Sequence, residues 1–401
     1  MRRIIKMLSL VLVTVISIVS LSGCYDSNDI EDLAYVIAIG IDKADGKNFK
    51  LTFQTAVPKS IAGGEGESVD IKTFKTDNFL SGLKKTSGYL DRQIDLSHVE
   101  IIVVSEEIAK EGIIAFLNGL QNNIEIRPNV NIIVSAEGAQ KYIESIQPKL
   151  SSSPAKYYEL LFKSIEADFL VKDTQLEDYL YRAKNRSSQP VAIYTDVDKA
   201  ISDKSGDDKP QEDSKKSEGG SEKKDKKEQK SMAIKGLAVF NLDKMVGKLN
   251  EDEAMLFALM TTTKNKQIEI DDPLDKRFKV LGSVKKTKSS MTKVILNNGK
   301  PQININLKLN IDIKAVQSDN DYDNPEKSAK LEIAYEEYLK KGLTDLFNKT
   351  SKEFKSDIFG FSQIAKRNFK TIDEWDKAKW EDKFPKAEYK LNIDAEIRRQ
   401  S

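Results

Sequence analysis

Residues 303–315 read ININLKLNIDIKA, and this stretch decides how the second half of the chain folds. Ile303, Ile305, Leu307, Leu309, Ile311, Ile313 and Ala315 alternate with Asn, Lys and Asp. Side chains in a strand point to opposite faces with period two, so the pattern predicts a long strand with one dry face and one wet face. Tyr389, Leu391, Ile393, Ala395 and Ile397 repeat it near the C-terminus. Between the two, residues 325–354 start with a proline and place Leu331, Tyr335, Tyr338 or Leu339, Leu343, Leu346 and Phe347 on one helical face. Two one-sided strands around a long amphipathic helix predict a largely antiparallel sheet with that helix on its dry face.

Moving upstream, residues 234–240 and 245–249 flank the polar turn Asn241-Leu242-Asp243-Lys244 and read as a hairpin. Asn250 precedes Glu253 by three residues, a capping box for a helix carrying Met255, Leu256 and Leu259. Residues 201–230 hold nine acidic and nine basic side chains, too little apolar surface to offset chain entropy, so a disordered linker is expected there.

Before the linker the pattern changes. Residues 35–41 are almost continuously apolar, as in a strand covered on both faces, and Asp45-Gly46 turns the chain into the alternating Phe49, Leu51 and Phe53. Apolar runs at 100–104 and 129–134 bracket residues 106–120, where Ile108, Ile113, Leu117 and Leu120 predict one amphipathic helix. The order is that of a βαβ unit with parallel strands. Asp77 is expected to cap a short helix with Phe79 and Leu83, residues 154–170 and 175–183 to form helices, and 191–195 a strand. Gly63, Gly64 and Gly66 read as a loop, since no Lys-Ser/Thr pair or helix start follows them in phosphate-loop register. The fold class is therefore α+β and multi-domain. A mixed α/β region (24–200) and the linker 201–230 precede a C-terminal region (231–401) whose largely antiparallel sheet packs with the long helix.

The N-terminus supplies the one sharp functional signal. Arg2, Arg3 and Lys6 precede an apolar run over residues 7–21, which ends Leu21-Ser22-Gly23-Cys24. That is the form of a lipoprotein signal peptide (1–23), with two small residues before a thiol that accepts a lipid. Cys24 is the only cysteine, so an internal disulfide is excluded, and lipid attachment accounts for it. Two palmitate-type chains would hold the protein to a bilayer with on the order of 20 kcal/mol, which amounts to permanent anchoring.

Other chemistry is scarce. Lys plus Arg is 64 against 63 for Asp plus Glu, and loss of Arg2, Arg3 and Lys6 tips the balance slightly acidic, which argues against nucleic acid as a partner. His98 is the only histidine, and Ser97 beside it is expected to point elsewhere on an extended segment, so a Ser-His-Asp triad is not supported. Asp319, Asn320, Asp321, Asp323 and Asn324 have the composition of a calcium loop without its glycine and closing glutamate. They read as a surface turn. Phe354, Phe359, Phe361, Phe369, Trp375, Trp380 and Phe384 read as the closure of the core beneath the long helix, with a ligand pocket as the sharper alternative. No cofactor or metal is expected.

The joint order of several motifs resembles the Ger(x)C family, the lipoprotein C subunits of nutrient germinant receptors. The motifs are Cys24-Tyr25-Asp26, Gly40-Ile41-Asp42, Ser97-His98-Val99, Glu111-Gly112, Arg127, Gly236-Leu237-Ala238-Val239-Phe240, Val246-Gly247-Lys248-Leu249, Ser356-Asp357-Ile358-Phe359-Gly360, Trp375, Trp380, Phe384-Pro385 and Arg398. The resemblance implies a non-enzymatic receptor subunit needed for spore germination, anchored through Cys24 to the outer leaflet of the spore inner membrane. Its implied partners are integral-membrane A-type and B-type subunits. Two other classes compete: a solute-binding lipoprotein delivering a small ligand to a membrane transporter, and a surface-anchored wall hydrolase using paired carboxylates.

Overall fold

The computed structural model describes residues 1–20, 32–46, 48–58, 67–90, 92–121, 125–146, 154–165, 174–185, 188–198, 231–297 and 299–398. Cys24, the glycine loop at 63–66 and the linker 201–230 lie outside these residues, as does the expected end of the helix at 166–170. The chain begins with α1 (Arg2–Ser20), whose apolar side chains Ile4, Ile5, Leu8 and Leu12 are exposed. Among the described residues no helix is long and apolar enough to cross a membrane.

The first layer is built from β1 (Leu33–Lys43), β2 (Phe49–Pro58), β3 (Glu67–Thr76), α2 (Phe79–Ser87), β4 (Gln93–Asp95), β5 (Ile101–Ser105), α3 (Glu106–Glu111), α4 (Ile114–Gln121), β6 (Asn131–Ser135), α5 (Ala139–Ser145), α6 (Pro154–Ile165), α7 (Leu176–Asn185) and β7 (Val191–Asp198). After the linker come β8 (Ser231–Asn241) and β9 (Lys244–Leu249). All the strands so far lie in one sheet of order β3-β2-β1-β5-β6-β7-β8-β9, with β4 pairing β1 just before β5 does. The expected βαβ pair β5/β6 is parallel, and so are β1/β5 and β6/β7; antiparallel hairpins flank this centre on both sides. α4 and α7 cover one face, where Leu117, Leu120, Tyr179 and Leu180 pack; α5 and α6 cover the other with Tyr142, Ile143 and Tyr158. Two covered faces explain the unbroken apolar runs of β1, β5 and β6.

The single helix expected over 106–120 is two. Gly112 has φ +122, and its own N–H bonds the Ile108 carbonyl, so the chain turns there and restarts as α4. Asn78 rather than Asp77 caps α2, accepting from the Ser81 N–H at 2.8 Å. Both misjudgements concern single backbone conformations, to which hydrophobic periodicity is blind.

The second layer adds α8 (Glu251–Thr261), β10 (Lys266–Asp271), β11 (Lys279–Lys286), β12 (Met291–Asn297), β13 (Lys300–Val316), α9 (Pro325–Asn348), α10 (Phe361–Lys366), α11 (Ile372–Ala378), α12 (Trp380–Lys383) and β14 (Glu388–Ile397). The stretch 303–315 lies within β13. Its odd positions from Ile303 to Ile311 are buried, while the alternation fades at Ile313 and Ala315 near the strand end. β11 and β12 lie end to end along one edge of β13, both antiparallel to it, and β10 pairs with β11 outside them. β14 runs along the other edge in parallel, an exception to the antiparallel expectation; the crossover through α9 lets the two patterned strands sit side by side. α9 buries Leu331, Tyr335, Leu339, Leu343 and Phe347 against the dry face, with Tyr338 half outside. Glu336 and Glu332 on α9 accept the backbone N–H groups of Ala395 (2.9 Å) and Ile397 (2.8 Å), so part of the β14 edge is closed to further strand pairing. The capping box at α8 forms in both directions, and Lys349 bonds its Glu253 at 2.7 Å, tying the start of α8 to the end of α9.

β8 and β9 join the two layers. Ala238, Phe240 and Met245 point into the core of the first layer, while Leu237, Val239 and Leu249 belong to the core around β13, α8 and α9. The linker breaks the chain in sequence, but the hairpin that follows it belongs to the first sheet and to both cores.

Candidate functional site

Several of the motifs that carried the family resemblance have physical tasks in the fold, and some of them meet at one place. Gly40 is where α5 crosses β1: a Cβ there would lie 2.9 Å from the Ile143 methyl and 3.3 Å from Ala139. Asp42, two residues on, accepts the N–H groups of Ala139 (2.7 Å) and Gln140 (2.8 Å) and so fixes the start of α5 from a distant strand. Burial raises the Asp42 carboxyl above its ordinary range, against those two donors. Around it lies a polar recess of about 310 Å³ at the carboxyl ends of β1, β5 and β6, with Glu107 paired to Lys43 (3.1 Å) and Lys110 to Glu106 (2.6 Å). Its charges are largely spent on each other.

The seam between the layers is different. There the start of β7, the β8–β9 turn, the segment after α9 and the α11–α12 junction converge. Asp357 is 4% exposed, and its carboxylate accepts the N–H groups of Phe361 (3.0 Å) and Ser362 (2.7 Å) and the Trp380 indole N–H (3.1 Å). Burial pushes its carboxyl up while these donors pull it down, and burial prevails. Its own carbonyl accepts the Gln189 N–H at 2.9 Å, Ser356 donates to the Phe240 carbonyl at 2.6 Å, and Arg182 reaches Ser188 (3.0 Å) and the Ile358 carbonyl (3.3 Å). The Gln189–Asp357, Ser356–Phe240 and Arg182–Ile358 bonds cross from one layer to the other.

Among the described residues, the non-glycine residues with positive φ are Leu242 (58°), Lys355 (52°) and Lys379 (47°), and all three are at this seam. Side chains there cost of order 1 kcal/mol or more each, so the surrounding contacts must hold them in place. The Leu242 N–H is held by the Gln189 side chain and the Lys355 carbonyl by Asn241 Nδ2 (3.3 Å), while Lys379 precedes the buried Trp380. Between these elements opens a cleft of about 300 Å³ with Leu242, Trp380 and Phe384 as apolar walls, Asp357 at the base, and Lys355, Glu381 and Asp382 at the mouth.

The sequence-predicted groups distribute as follows. The late aromatics do close the core: Phe361, Trp380 and Phe384 are buried, Phe347 on α9 meets Phe359 edge-on at 4.9 Å and stacks on Tyr389 at 5.0 Å, and Phe359 stacks on Phe361 at 5.4 Å. Trp380 lines the cleft as well, with Trp375 stacked 6.0 Å away. Ser97, expected to point away from His98, instead lies 2.9 Å from His98 Nδ1, because residues 95–99 make a turn closed by Asp95 on the Ser97 N–H (2.8 Å). Ser97 and Asp95 both approach the same ring nitrogen, and the serine hydroxyl donates to Asp95, so no proton relay through the imidazole is arranged. The acidic turn at 319–324 serves the fold. Asn324 caps α9 (2.9 Å to the Glu326 N–H), and Asn320 (3.2 Å), Ser318 and Tyr322 (2.6 Å) converge on buried Asp272. Burial opposes ionisation of Asp272, but those donors and the Leu274 N–H outweigh it and hold the carboxyl at about 2. Among the described residues no cluster of metal-ligating side chains occurs.

Comparison with known proteins places the whole architecture. A family model described as the spore germination protein N-terminal domain matches residues 26–197, and one described as spore germination B3/GerAC like, C-terminal, matches residues 235–401. Spore germination protein KC of Bacillus subtilis (strain 168) is 25% identical over 385 residues, 92% of this chain and 90% of that one. Spore germination protein B3 of the same organism is 22% identical over 391 residues, 95% and 94% of the two chains. The crystal structure of the GerBC protein superposes with a TM-score of 0.53 at 17% identity, over 92% of this chain and 100% of that chain.

Proposed function

Because the chain belongs to the Ger(x)C family of spore germination proteins, we propose that it is a non-enzymatic subunit of a nutrient germinant receptor, tethered by an acylated Cys24 to the outer leaflet of the spore inner membrane. The observation that carries this reading is the ordered pair of family matches, the first starting just past Cys24 and the second running to the end of the chain. The turn at Asp95-Ser97-His98, which lacks a relay geometry, supports a role other than catalysis. A solute-capturing lipoprotein calls for a large cleft between two similar lobes, and the two layers here are unlike in strand order and helix arrangement.

The tether also bounds the body's distance from the membrane. β1 begins at Leu33, so even at the full extension of roughly 3.3 to 3.6 Å per residue the chain between Cys24 and β1 spans less than about 30 Å. Confinement at this distance raises the effective concentration of the body next to integral-membrane A-type and B-type subunits, so a stable receptor needs no tight interface. Affinity purification of the tagged chain from spore membranes in mild detergent is expected to bring down those two subunits, identified by mass. Recovery of a transporter in their place, or of no membrane protein, would contradict the assignment.

A further inference from the structure

We propose that the seam cleft is a binding site for a small organic cation, an amine or ammonium group carried on an apolar body. Its volume of about 300 Å³ is at the lower bound of small-ligand pockets, and it lies where such pockets concentrate, between two packed layers. Trp380 and Phe384 supply apolar walls that are already rigid: both are buried, and the Trp380 indole N–H is committed to Asp357 at 3.1 Å. A wall fixed before the ligand arrives loses little entropy on binding.

The charge of the ligand follows from the lining. Glu381 and Asp382 stand exposed at the mouth, and among the described residues neither has an ion-pair partner. Asp357 adds a third carboxylate at the base, already met by its three donors. Lys355 is the one cation of the lining. A cation is therefore drawn to the mouth.

The chain has two tryptophans, Trp375 and Trp380, stacked 6.0 Å apart, so its intrinsic emission reports on this cleft. The full chain, purified in detergent, is titrated with phenethylamine, 2-phenylethanol and 3-phenylpropanoate, which share one apolar body and differ in charge. The expected result is a saturable emission change with phenethylamine, at a concentration about tenfold or more below that needed for 3-phenylpropanoate, with the alcohol between them. The variant Glu381→Gln with Asp382→Asn, at exposed positions and so with an unchanged unfolding temperature, should weaken the amine about tenfold and leave the alcohol where it was. Absence of saturation with all three probes, equal response to all three, tighter binding of the anion, or an unchanged amine titration in the double variant would each overturn the proposal.

Discussion

Gly236→Ala is expected to remove about 3–5 kcal/mol of stability, overpacking of about 1–3 kcal/mol added to about 1–3 kcal/mol of strain for a side chain at positive φ. Gly236 sits at φ +121 on a bulge of β8, opposite Tyr194, where the register with β7 shifts. A Cβ there would overlap the Leu249 carbonyl oxygen and lie 2.8 Å from the Asn250 carbonyl carbon. Both neighbours are backbone, so no rotamer change relieves the contact, and Asn250 is the cap that starts α8. The damage therefore falls on the hairpin that belongs to both cores. Gly46→Ala is the control: φ is +66, yet nothing lies within 4 Å, so only the conformational strain of about 1 kcal/mol remains. Urea unfolding of the full chain in detergent distinguishes the two. Equal losses in both variants would show that close approach at the β8–β9 hairpin does not matter.

Asp357→Ala should be nearly as severe. It leaves the N–H groups of Phe361 and Ser362 and the Trp380 indole buried without their acceptor, at about 1–3 kcal/mol each before relaxation, hence about 3–5 kcal/mol together. Asp357→Asn keeps one acceptor oxygen and turns an NH₂ toward donors, so a loss of roughly half is expected. The indole emission should shift in both variants as its partner changes. Less than about 1 kcal/mol lost in the alanine variant would mean that the carboxylate does not hold the seam.

Much of this architecture was legible in the residues, and what was not has a common cause. Alternation at 303–311 and in the last strand, the continuous runs of β1, β5 and β6, and the box at Asn250 and Glu253 express local chemistry, and each forms as read, whereas the alternation expected at Ile313 and Ala315 does not. β3, β10, β11 and β12 carry weaker patterns, because their burial comes from distant partners. The parallel placement of β14 beside β13 depends on where α9 carries the chain, which no spacing encodes. The seam shows the same limit. Asp357, Gly360 and Trp380 were visible as motif residues, but Leu242, Lys355 and Gln189 have unremarkable neighbours in sequence, and only the fold brings them to one cleft. Positive φ at Leu242 belongs to the two-residue hairpin turn, a place where leucine gives no signal of it, and at Lys355 it is held by tertiary contacts.

The most direct test of the central claim is replacement of Cys24 by alanine in the sporulating cell, followed by fractionation of spore membranes and a nutrient germination assay. A tethered receptor subunit predicts that the Cys24→Ala protein leaves the membrane fraction and that the response to nutrient through this receptor is lost, while germination triggered by other routes persists. Full membrane retention together with an unchanged nutrient response would contradict it.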